Sequence, residues 1–208
     1  MTLNYVCCAF LIFCAAASGA GPTQARPFSA SLSIQLTAVV LPDGQYSQVA
    51  VREMGREAAH ILKQSGLSLR WRVGAPAQSV NGLLVVVKLR GRCDMDGSAS
   101  FLVPGPLGWS DAVNGTILPF SDLACDNIRG AVQSAISDGN VVRGNVLLGR
   151  AMGRVLAHEL YHIVADTSVH GHDGVAQAAF TARQLTSGAL ELGASEVTAV
   201  QNGLGRAR

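Results

Sequence analysis

The chain is short of charge and of aromatic side chains. Asp, Glu, Lys and Arg make up 14% of its 208 residues, and Phe, Trp and Tyr only 5%. The formal net charge is +2, and the arginines are scattered. A nucleic-acid binder needs a clustered basic footprint, so no nucleic-acid partner is expected. No cysteine pair has C-x-x-C spacing, which argues against a thiolate metal site. The longest apolar run, Val6–Ala17, falls short of the roughly 20 residues that span a membrane.

That run has the length of a signal-peptide core. Small residues follow it, and Ser18 and Ala20 suit the −3 and −1 positions of a cleavage site. The first twenty residues carry no charged side chain, so the terminal amine supplies the only positive charge ahead of the core. Phe13 precedes Cys14 where a lipidated cysteine would have a small residue. The expected organisation is a signal peptide over 1–20, a linker over 21–30 and one domain over 31–208, long enough for a real core. The expected location is secreted or periplasmic, in the cell envelope, with no stable membrane span after cleavage. Beyond the signal only Cys93 and Cys125 remain. In an exported chain they are expected to pair, closing a loop of about thirty residues worth about 3 kcal/mol.

Glycine is abundant, at 23 residues, and predicts many turns and short elements. Strands are predicted over 32–40, 67–73, 82–91 and 98–103 from alternating or continuous apolar patterns. Asn114-Gly115, between "LGWSDAV" and "TILPF", is a type I′ hairpin signal. Helical patterns run from Tyr46 to Gln64, from Cys125 to Ile136 and from Asn145 to about Ala165, with a short one at Thr181–Leu185. The last twenty residues, rich in Gly and Ala, are expected to fray. The predicted fold is α+β, a mixed twisted sheet packed on a long helix.

That long helix carries His158-Glu159-Leu160-Tyr161-His162, an H-E-x-x-H pattern, and four of the five histidines lie within 158–172. On a helix, residues i and i+4 share a face, so His158 and His162 can aim two ring nitrogens at one metal. Glu159 sits about 100° around the helix, beside a metal held there. From that place it can take a proton from the attacking water and pass it to a leaving amine. A catalytic zinc needs a third protein ligand and an open position. His170 is the leading candidate, reached if the chain leaves the helix near Asp166 and folds back. His172, beyond Gly171, is an alternative, as are Glu191 or Glu196 from a later helix. Asp166 continues the i+4 stripe, but on a continuing helix it would lie ~12 Å along the axis from His158.

Over about residues 144–185 the chain resembles the zincin metallopeptidases, and within them the metzincin-like branch, whose pattern is H-E-x-x-H-x-x-G-x-x-H followed by a methionine-containing turn. Ala165 stands where that branch has its helix-ending Gly, Ser168 where it has the third His, and Gly174-Val175-Ala176 where it has the Met-turn. The resemblance implies a zincin-like single domain holding Zn2+ through His158, His162 and His170, with Glu159 as general base. It implies a zinc-dependent endopeptidase acting on a peptide or protein laid beside an edge strand, either 98–103 or one arm of the 107–120 hairpin. Tyr161, one turn from His158, would pack or support the transition state. Asp173 would orient a ligand histidine or serve the loop. The alternative function is an exported zinc-stabilised binding module without catalytic activity, its site closed by a fourth ligand such as His172.

Overall fold

The computed structural model describes residues 34–74, 82–96, 105–136 and 140–206. The signal, the linker and the predicted strand 98–103 lie outside them. Five strands form one mixed sheet in the order β2-β1-β3-β5-β4. Strand β1 (Ile34–Pro42) is flanked in parallel by β2 (Leu67–Val73) and β3 (Leu83–Arg90). Strand β5 (Thr116–Ala124) adds in parallel to β3, and β4 (Gly108–Val113) returns antiparallel to β5 at the margin of the sheet. The alternation is legible in burial: Leu36, Ala38 and Val40 of β1, and Val85, Val87 and Leu89 of β3, enter the core, as a period of two requires. The β4–β5 turn is the one its sequence demands, with Asn114 at φ 53° and Gly115 at φ 83°.

Two helices face the inner side of the core. Helix α1 (Gln48–Lys63) connects β1 to β2, is capped by Ser47, and buries Ala50, Val51, Met54, Ala58, Ile61 and Leu62. It packs on α3 (Val141–Ala165) at a close crossing. Glycine makes that approach possible: a Cβ on Gly153 would lie 2.6 Å from Glu57 Cβ and 2.7 Å from the Met54 carbonyl. One turn below His158, Arg154 is almost fully buried and directs its donors to α1 and to residues 184–188. Its Nε donates to Glu57 at 2.7 Å, and its terminal nitrogens donate to the carbonyls of Gln184, Ser187 and Gly188, around the end of α4 (Ala182–Thr186). A buried guanidinium is tolerated only when paired in this way.

Two sequence expectations need correction. Helix α3 begins at Val141 rather than Asn145, because Asn140 accepts the Arg143 N–H at 3.0 Å and caps the helix four residues earlier. The C-terminal segment does not fray through its whole length: Ala194–Arg206 is a helix, α5, with Glu196, Val200, Gly203 and Leu204 buried. Gly203 there serves close packing, since a Cβ would overlap the Val164 carbonyl at the end of α3. Cys93 and Cys125 form a disulfide with their Cα atoms 5.0 Å apart, tying the segment after β3 to the start of α2 (Cys125–Val132). Among the described residues no helix is long and apolar enough to cross a membrane.

Candidate metal centre and cleft

Helix α3 delivers His158, Glu159 and His162 in its last two turns, and then it stops. Asp166 adopts the left-handed conformation at φ 51° and ψ 55°, and its N–H bonds the His162 carbonyl. Asp is one of the few non-glycine residues that tolerate this geometry. Its carboxylate is not part of the histidine cluster and accepts the Ile117 N–H at 2.9 Å, fastening the helix end to β5. The sharp reversal lets residues 167–170 return. His170 comes to lie with its ring centroid 5.2 Å from that of His158 and 4.8 Å from that of His162. One ligand atom from each of the three histidines falls within 4.8 Å of the others, so the three together could hold a metal ion.

The orientation of the two helical rings is more specific than their proximity. His158 Nδ1 lies 2.8 Å from the Val175 carbonyl, and His162 Nδ1 lies 2.7 Å from the Thr167 carbonyl. A carbonyl only accepts, so each Nδ1 carries the proton and each Nε2 presents its lone pair. Those two Nε2 atoms are 3.0 Å apart. Two lone pairs so placed repel unless a cation sits against both. Ligands ~2.0–2.1 Å from a tetrahedral ion stand about 3.3 Å apart, close to what is found. Burial holds the His158 ring neutral, its pKa lowered to about 4 against the opposing Val175 hydrogen bond. His162 is lowered from the same main cause. A neutral ring is the form that binds metal.

Glu159 is 4% exposed and sits beside the cluster. Burial raises its carboxyl to about 7, with the Ser110 hydrogen bond pulling the other way. A cleft of about 560 Å³ opens above these groups, lined by residues 105–110 leading into and along β4, and by 178–180 downstream of the histidine loop. Phe180 stands edge-on to the His158 ring, with centroids 5.7 Å apart.

Neither a protein-family model nor a curated protein matches this chain.

The other candidate ligands are placed elsewhere. Asp166 is the helix cap. His172 and Glu191 are exposed, and neither joins the cluster. Glu196 is buried beneath the loop, with a carboxylate oxygen 2.7 Å from where a Gly171 Cβ would stand. Asp173 does not orient a helical histidine; main-chain carbonyls do that for both. Tyr161 packs, 5% exposed, and its hydroxyl donates to the Val169 carbonyl at 3.3 Å. Burial, and then the Glu196 charge, raise its pKa. Gly174–Ala176 forms a tight turn that buries Val175 and Ala176 under the site. Sequence reasoning missed three participants: the Val175 and Thr167 carbonyls and the Ser110 hydroxyl. The carbonyls carry no residue-type signal. Ser110 sits in a strand whose alignment over Glu159 is a tertiary fact.

Proposed function

We propose that the chain is a zinc-dependent endopeptidase of zincin-like fold, a divergent member of the metzincin-like branch, exported to the envelope or secreted. The observation that carries it is the pair of Nε2 lone pairs 3.0 Å apart, fixed by carbonyls and closed on a third side by His170. Three imidazoles suit several first-row metals. Three protein ligands beneath an open cleft match the catalytic arrangement of zinc. Zinc supplies Lewis acidity, which polarises a scissile carbonyl and makes the attacking water more acidic.

The chain's own residues do the rest. His158, His162 and His170 hold the ion. Glu159, adjacent and lining the cleft, accepts the water proton and returns it to the leaving amine. Among the described residues strand β4 ends the sheet, with β5 on one side only, so its outer edge can pair with an extended peptide crossing the cleft. Gly174-Val175-Ala176 stands in the place of the familiar methionine-containing turn and has no methionine, and its Val175 carbonyl holds His158. The Cys93–Cys125 disulfide is compatible with export. A structural zinc site closes with four protein ligands, and the fourth candidate, His172, lies outside the cluster.

The test is Glu159→Gln on the purified mature chain. Zinc is expected to stay stoichiometric while peptide hydrolysis falls by roughly 10²–10⁴-fold. Undiminished cleavage in this variant would remove Glu159 from the mechanism. Full zinc retention in His170→Ala would remove His170 from the ligand set.

A further inference from the structure

Glu159 has three rotatable bonds and projects from the helix into an open cleft. Freezing such a side chain costs up to ~2 kcal/mol of rotamer entropy, so a base that must sit in one place needs something to hold it. Helix α3 does not supply that. Strand β4 does, through two residues on its inward face.

Ser110 donates its hydroxyl hydrogen to Glu159 Oε2 at 2.7 Å. The same oxygen lies 3.5 Å from the Glu159 carbonyl, so it bridges side chain and main chain of one residue. Two positions earlier, Gly108 backs the other carboxylate oxygen: a Cβ there would stand 3.1 Å from Glu159 Oε1 and 2.8 Å from Val155 Cγ1. Residues i and i+2 share a strand face, so both contacts come from one side of β4. The β4–β5 ladder shifts register between Ser110 and Ala112. Irregularities of that kind re-aim side chains beside functional sites.

We propose that Ser110, with Gly108, forms a clamp that fixes the Glu159 carboxylate, and that Ser110 is a positioning residue for the general base; this rests on the peptidase reading above. The hydroxyl occupies Oε2, and the bare Gly108 backbone leaves room for Oε1 beside the cleft. In that reading the strand beside which the peptide lies also sets the base, so substrate register and base position are linked through one element.

The experiment compares Ser110→Ala and Ser110→Thr in the full-length mature chain. Zinc content, kcat and KM on a cleaved peptide, and a crystal structure of the Ala variant are the readouts. Ser110→Ala is expected to keep its zinc and its KM and to lose roughly 10–100-fold in kcat, the scale of a small misplacement of a reacting group. Ser110→Thr, which keeps the hydroxyl, is expected to recover to within about threefold of the parent on that same scale. An unchanged kcat in Ser110→Ala, or an equal loss in both variants, overturns the clamp. If the parent cleaves no peptide, the peptidase reading falls and the crystal structure decides the clamp alone: a displaced Glu159 carboxylate in Ser110→Ala supports it, and an unmoved one refutes it.

Discussion

Asp166 ends helix α3, and its replacement separates a capping role from a ligand role. Its φ of 51° places a Cβ in left-handed backbone. Alanine there carries a penalty of about 1–2 kcal/mol, part of which Asp already bears, leaving a net cost of about 1. Losing the acceptor for the Ile117 N–H adds about 0.5–1.5 kcal/mol. Asp166→Ala should therefore destabilise by about 2 kcal/mol, a fall in Tm of about 4–8 °C for a chain of this size. Asp166→Gly loses the same hydrogen bond and gains unfolded-state freedom, but is released from the left-handed penalty, so about 1 kcal/mol is expected. Asn keeps both the acceptor and the conformation and should lie within about 0.5 kcal/mol of the parent. Urea unfolding gives the order Asn, Gly, Ala from most to least stable. Zinc content should be equal in the parent and the Asn variant. An alanine variant as stable as the parent, or a loss of zinc in Asp166→Asn, would refute the capping assignment.

Three further outcomes follow from the same geometry. Burial places the Glu159 carboxyl near 7 in the metal-free chain, above its ordinary 4.5. A raised carboxyl contributes stability that is fully present below the ordinary value and is lost as pH rises through the folded one. In the chelated protein Glu159 should thus contribute a decline between about pH 4.5 and 7.5, set against the rise that the lowered His158 and His162 contribute as pH climbs toward their ordinary value. The parent-minus-Glu159→Gln difference in a denaturant series isolates the decline, and a difference that does not fall with pH would refute the raised carboxyl. Gly153→Ala forces a methyl against Glu57 and the Met54 carbonyl and should cost about 1–3 kcal/mol, read by thermal melting. Ser121 is 1% exposed, and its hydroxyl finds no hydrogen-bond partner among the described residues. Ser121→Ala should therefore be neutral or stabilising by up to about 1 kcal/mol; a clear loss of stability would mean the hydroxyl is paired.

Legibility differed between the helix and the loops. The i, i+4 histidine pair and its adjacent glutamate are written in sequence because helical periodicity is local, and the hairpin is written in Asn114-Gly115 for the same reason. The start of α3 is less legible, because one cap, Asn140, carries the helix through Gly144, and that glycine is packed against Met95 rather than breaking the turn. The order of the C-terminal segment is hidden by its Gly and Ala content, since Gly203 looks like a breaker until Val164 is seen against it.

What the sequence by itself determined is the α+β class, most of the element order and the three chemical groups on α3, since each depends on residues within a turn or a pleat of one another. The tertiary structure decided which later residue completes the cluster. Four candidates were compatible with chain length alone, and only the left-handed turn at Asp166, anchored on β5, selects the path that returns His170. It also decided which carbonyls set the ring tautomers and which strand faces Glu159. Val175 and Ser110 meet their partners across 17 and 49 residues, and Thr167, only five residues past His162, is aimed by the turn at Asp166; composition and periodicity carry no record of such contacts.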